Sequence, residues 1–176
     1  MPYRQLVYAA TALLETIVIV YLSIVAYIVA QPIAHAWAQA FYRKSYIAEI
    51  NTPKMQNWLT EEMLKEFNEM GDGKIISFTP IEKGRKIFIY EREPEKDEVL
   101  VGEAEPRNST CIIRVNNNLD FGTFRETLYH EYLHCMGYLH NEINRKDIMY
   151  PSVVPGNKEE NIYWYAQDLK KRFYEN

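Results

Sequence analysis

The apolar run at the amino end sets the first boundary in the chain. Residues 6–30 are interrupted by a single charge, Glu15, and residues 16–42 contain no Asp, Glu, Lys or Arg. A helix through Ile17 to Val29 would be apolar on every face, so it must be buried in protein or in lipid. About 20 such residues cross a bilayer. Tyr3 and Tyr8 at one end, and Trp37, Phe41, Tyr42 and Tyr46 at the other, suit interfacial belts. Glu15 is tolerable near the membrane edge. The run predicts an N-terminal hydrophobic, single-pass transmembrane helix within residues 1–44. Two alternatives stand beside it: a signal peptide cut at Ala34-His35-Ala36 or Ala36-Trp37-Ala38, and a helix buried in a soluble assembly.

Past residue 44 the periods shorten, and residues 45–176 read as one α+β domain. Thr52 caps a helix that Pro53 opens, and Gly71-Asp72-Gly73 ends it. Trp58, Leu59, Met63, Leu64 and Phe67 recur along it at helical spacing. Residues 74–81 and 86–91, rich in β-branched and aromatic side chains, predict two strands. Val99-Leu100-Val101 is a weaker third and 110–115 a clearer fourth. Residues 91–107 are dense in Glu and Pro and read as a solvated loop around the third strand. A calcium site in that loop finds no matching ligand spacing. A helix follows over 123–137, with Phe124, Leu128, Leu133 and Met136 as its apolar face. Residues 141–146 form a polar connector, 151–157 a loop, and 158–174 a last helix with Ile162, Tyr165, Leu169 and Phe173 inward.

The candidate chemistry lies on the 123–137 helix. His130-Glu131-Tyr132-Leu133-His134-Cys135-Met136-Gly137-Tyr138-Leu139-His140 holds three of the four histidines. Residues i and i+4 share a helix face, so His130 and His134 can reach one ion. Glu131, on the edge of that face, can reach a water beside the ion without being a ligand. Gly137 can take the left-handed conformation that ends a helix and returns His140 as a third ligand. Three nitrogens and an open position mark a catalytic zinc site rather than a closed structural one. His35 reads as interfacial packing.

Net charge and cysteine count narrow the picture further. A formal charge of −4 carries no basic footprint for nucleic acid. Cys111 and Cys135 read as two buried thiols, with a bridge between them open in an oxidising compartment.

The extended histidine motif, followed by Asp147-Ile148-Met149-Tyr150-Pro151, resembles the metzincin zinc endopeptidases, the matrixin branch most closely. The likeness is specific over residues 122–151 and looser from about 51 to 176. It implies a minimal metzincin-like catalytic domain: helix, twisted mixed sheet, zinc helix, methionine turn and C-terminal helix. It implies Met149 as an apolar floor to a zinc site of His130, His134 and His140, and Glu131 as general base in cleaving a peptide or protein substrate. It also implies that an edge strand pairs with the substrate, for which 110–115 is the candidate and 99–101 the next. Matrixin-like peptidases work outside the cell, which places the domain externally. Pro151-Ser152-Val153 departs from the family, which has a tyrosine two residues after the proline. The competing class is a membrane-anchored binding or structural protein that keeps the fold without the reaction.

Overall fold

The computed structural model describes residues 16, 18–22, 25, 44–52, 54–94, 101–151 and 161–174. Its contacts form two units, Met1–Ala40 and Phe41–Asn176. In the first, Thr16, residues 18–22 and Val25 are helical. No helix among the described residues is long and apolar enough to cross a membrane. Most of the expected span, both expected cleavage sites and His35 lie outside those residues.

The second unit is a mixed α+β fold. In chain order it runs β1 (Ser45–Asn51), α1 (Lys54–Met70), β2 (Ile76–Ser77), β3 (Arg85–Arg92), β4 (Gly102–Pro106), β5 (Thr110–Asn116), α2 (Phe121–Cys135) and α3 (Ile162–Tyr174). The sheet order is β2-β1-β3-β5-β4. β2, β1, β3 and β5 pair in parallel, and β4 closes one edge antiparallel to β5. Parallel neighbours need a long crossover, which α1 supplies between β1 and β3.

Strand alternation shows which face the helices cover. On β3, Arg85, Ile87 and Ile89 are buried while Lys86 is exposed and Phe88 and Tyr90 are half-buried. On β5, Cys111, Ile113 and Val115 are buried and Ile112 and Arg114 are not. The buried side chains meet Met63, Leu64 and Phe67 of α1, Leu128, Tyr129, Tyr132 and Leu133 of α2, and Ala166 and Leu169 of α3 in one core.

α2 has a defined start and stop. Asp120 is its N-cap, accepting the Thr123 N–H at 3.1 Å and the Thr123 hydroxyl at 2.7 Å. Gly137 follows the other end at φ 87°. Its N–H donates to the His134 carbonyl at 2.9 Å and the Tyr138 N–H to the Leu133 carbonyl at 3.1 Å, the paired bonds of a Schellman turn. The buried Arg85 guanidinium donates to the Cys135 carbonyl, placing a cation at the negative end of the helix dipole.

Several expectations need correcting. Ser45–Asn51 is a strand between β2 and β3, whereas its aromatic Tyr46 read as membrane-edge sequence. Residues 74–81 shrink to a two-residue strand. The Glu- and Pro-dense stretch is no loop at 102–106: it is β4, its glutamates paired across the sheet, Glu103 with Arg114 at 3.0 Å and Glu105 with Arg114 at 3.5 Å. Val101 precedes that strand, and Val99 and Leu100 lie outside the described residues. The 110–115 segment is an interior strand, so the edge beside α2 belongs to β4. Trp58 is 63% exposed rather than core. At about 100° per residue Thr60, Met63, Leu64 and Phe67 share one side of α1 and Trp58 points the other way.

Cys111 and Cys135 are not free thiols. They form a disulfide with Cα atoms 5.7 Å apart, tying β5 to the last residue of α2. The bond suggests an extracellular domain, since reducing compartments keep such thiols apart.

Candidate metal centre

Helix geometry alone brings two histidines together. His130 and His134 sit one turn apart on α2, and their Nε2 atoms are 3.0 Å apart. The Schellman turn at Gly137 returns the chain, and His140 completes the set, its Nε2 3.0 Å from that of His134 and 3.3 Å from that of His130. These three are the cluster among the described residues that can hold a metal ion such as zinc.

Backbone carbonyls set which nitrogen faces the centre. His130 Nδ1 lies 2.6 Å from the Ile148 carbonyl and His134 Nδ1 lies 2.9 Å from the Tyr138 carbonyl. A carbonyl only accepts, so each Nδ1 carries the proton and each Nε2 presents a lone pair. Two lone pairs facing each other at 3.0 Å repel unless a cation lies between them. Tetrahedral zinc with bonds of about 2.0–2.1 Å spaces its nitrogens by about 3.3 Å. The observed 3.0–3.3 Å triangle fits that donor set. Burial, helped by nearby His140, lowers the His134 pKa below the usual imidazole value, which favours the neutral ligand form.

Glu131 is 6% exposed and lies between α2 and β4. Burial, and secondarily the charge of Glu103, pushes its carboxyl up to about 7. Gly102 makes room for it. A Cβ at 102 would lie 2.4 Å from the Thr127 methyl, 3.1 Å from Glu131 Cγ and 3.2 Å from Glu131 Oε1. Thr127 cannot swing aside freely, because its hydroxyl donates to the Thr123 carbonyl at 2.7 Å. Gly102→Ala is therefore expected to lower unfolding free energy by about 1–3 kcal/mol through overpacking, read by denaturant titration. An unchanged midpoint would show that the strand shifts without cost.

The remaining predicted residue, Met149, is fully buried in the core. Its N–H donates to Asp147 Oδ1 at 2.8 Å, and its carbonyl accepts the Asn141 N–H at 2.8 Å. The turn thus closes back on the residue after His140. Sequence reasoning missed Gly102, Asp147 and the two orienting carbonyls. Carbonyls have no side-chain signature, Gly102 acts through a helix distant in sequence, and Asp147 gathers donors both near it, Met149 and Asn141, and far from it, Asn161 and Tyr165.

β4 borders the site. The Asn116 N–H donates to the Val101 carbonyl and the Arg107 N–H to the Thr110 carbonyl. By antiparallel alternation Glu103 and Glu105 turn their backbone groups toward β5, and Gly102, Ala104 and Pro106 turn theirs to the open edge. A cleft of about 420 Å³ runs between Ala104 and Pro106 on this strand and His134, Tyr138 and Leu139 on the other side.

The chain matches no protein-family model and no curated protein sequence.

Proposed function

We propose that this chain is a zinc-dependent endopeptidase of metzincin type. The observation that carries the reading is the convergence of three Nε2 atoms within 3.3 Å of one another beside a buried glutamate. His130, His134 and His140 hold the ion. Zinc bound there supplies Lewis-acid polarisation of the scissile carbonyl and a lowered pKa for the attacking water. Glu131 takes the proton of that water and passes it to the departing amine nitrogen. Its burial keeps competing solvent away and, in the metal-free protein, raises the carboxyl's affinity for a proton.

The substrate is an extended peptide laid along β4. Gly102 and Ala104 each offer an N–H and a carbonyl, and Pro106 offers a carbonyl alone. Strand addition holds a backbone whatever its side chains. The apolar residues Ala104, Pro106, Tyr138 and Leu139 favour an uncharged side chain beside His134.

Chelator treatment of the full chain is expected to abolish cleavage of a quenched peptide library, and zinc to restore it. Cleavage that survives metal removal sinks the reading. One zinc per chain with no cleavage of any peptide or protein would favour the binding class instead.

A further inference from the structure

We propose that Asp147 is a positioning residue that sets the third imidazole against the other two. The proposal rests on the reading of His130, His134 and His140 as a metal site.

Four donors converge on one carboxylate that is 2% exposed. Oδ1 accepts the Met149 N–H at 2.8 Å and the Tyr165 hydroxyl at 3.0 Å. Oδ2 accepts the side-chain amides of Asn141 at 2.9 Å and Asn161 at 3.0 Å. These donors come from three separate pieces of chain. Asn141 directly follows His140. Met149 belongs to the turn whose preceding residue, Ile148, gives the carbonyl that His130 Nδ1 bonds at 2.6 Å. Asn161 directly precedes α3 and Tyr165 lies in its first turn, and Tyr165 anchors the assembly to the core. One anion therefore holds the segment carrying His140 in register with the group that orients His130.

The three ligands depend on this hub unequally. His130 and His134 are spaced by α2 itself, whose backbone bonds keep consecutive turns in place. His140 lies beyond the helix, on a chain that returns through Asn141. Disturbing Asp147 is therefore felt first at the third ligand. The chemistry is also specific to a carboxylate. All four contacts are donated to it, so an acceptor-only group fits. An asparagine amide would turn an NH2 toward donors: either the Asn141 and Asn161 amides or the Met149 N–H and the Tyr165 hydroxyl.

The test uses the full chain and two readouts that need no turnover: zinc affinity by chelator competition, and the visible spectrum of the cobalt-substituted protein. Asp147→Asn is expected to weaken zinc about 10–100-fold, the usual cost of losing a group that supports a metal ligand, and to shift the cobalt bands. Leu169→Val, a buried change on α3 outside the hydrogen-bonded set, is the destabilised comparator and is expected to leave both as in the wild type. Wild-type affinity and spectrum in Asp147→Asn would overturn the proposal. So would equal weakening in Leu169→Val, which would reduce the effect to general stability. If Asp147→Asn does not fold, Asn141→Ala keeps the carboxylate and cuts its link to the His140 segment. An unchanged cobalt spectrum there overturns the proposal as well. A wild-type chain that binds zinc but cleaves nothing sinks the peptidase reading and leaves this one standing; a chain that binds no zinc sinks both.

Discussion

Glu131→Gln is expected to cut peptide turnover by roughly 10²–10⁴-fold, the range that a positioned acid–base group contributes, while zinc content stays at one per chain. The amide keeps the shape of the side chain against Gly102 and Thr127 but cannot take a proton from water. The same substitution has a second, opposite effect on the metal-free protein. The Glu131 carboxyl is raised from 4.5 to about 7 chiefly by burial. A carboxyl whose folded pKa lies above its unfolded value favours folding while protonated. That stability is fully present below about pH 4.5 and is lost as pH rises through 7. At about 1.4 kcal/mol per unit over a rise from 4.5 to about 7, the loss is roughly 3–4 kcal/mol. Metal-free Glu131→Gln escapes it, so the variant should unfold at higher denaturant than the wild type at pH 8 and show no such advantage at pH 4.5. The lowered pKa of His134 acts with the opposite sign, but it is common to both proteins and drops out of their difference. Parallel pH profiles for the two metal-free proteins would mean that burial does not govern this carboxyl.

Breaking the link between β5 and α2 carries the other large effect. Cys111 and Cys135 are 24 residues apart and both fully buried. Closing a loop of that length stabilises by ~3 kcal/mol in the chain-entropy account. Replacing both cysteines by alanine should lower the unfolding free energy by about that much. Because Cys135 follows His134, the loss should be accompanied by faster zinc release. Denaturation of the oxidised wild type and the double variant, with zinc dissociation followed separately, measures both. A difference in unfolding free energy below about 0.5 kcal/mol would show that core packing alone holds the helix end.

What could be seen in the sequence was local. The spacing of His130, His134, Gly137 and His140 is a statement about one helix and the turn that ends it, and the structure places Gly137 at positive φ where the spacing needs it. Phe124, Leu128, Leu133 and Met136 were legible as the apolar positions of that helix and all are buried, spread over about half its circumference. Elements whose residues are chosen by distant partners were not legible. β4 reads Gly-Glu-Ala-Glu-Pro, poor in every strand-forming type. It is a strand through its antiparallel ladder with β5, across which Arg114 and, more loosely, Arg92 of β3 pair with Glu103. β1 was hidden by its position directly after a long apolar run. The disulfide depends on β5 lying under the end of α2, which no spacing between Cys111 and Cys135 discloses.

The placement of β1 restricts how this domain could ever be cut loose from what precedes it. Ser45 is buried, with its hydroxyl 2.6 Å from that of Tyr132 on the histidine-bearing helix. The Lys44 carbonyl still accepts the Arg85 N–H at 2.9 Å. A protease cutting the chain anywhere before Lys44 would leave every rung of the sheet among the described residues intact. One cutting even a few residues later would strip out a strand flanked on both sides and unseat the helix that carries Glu131. Release and destruction are thus separated by a handful of peptide bonds.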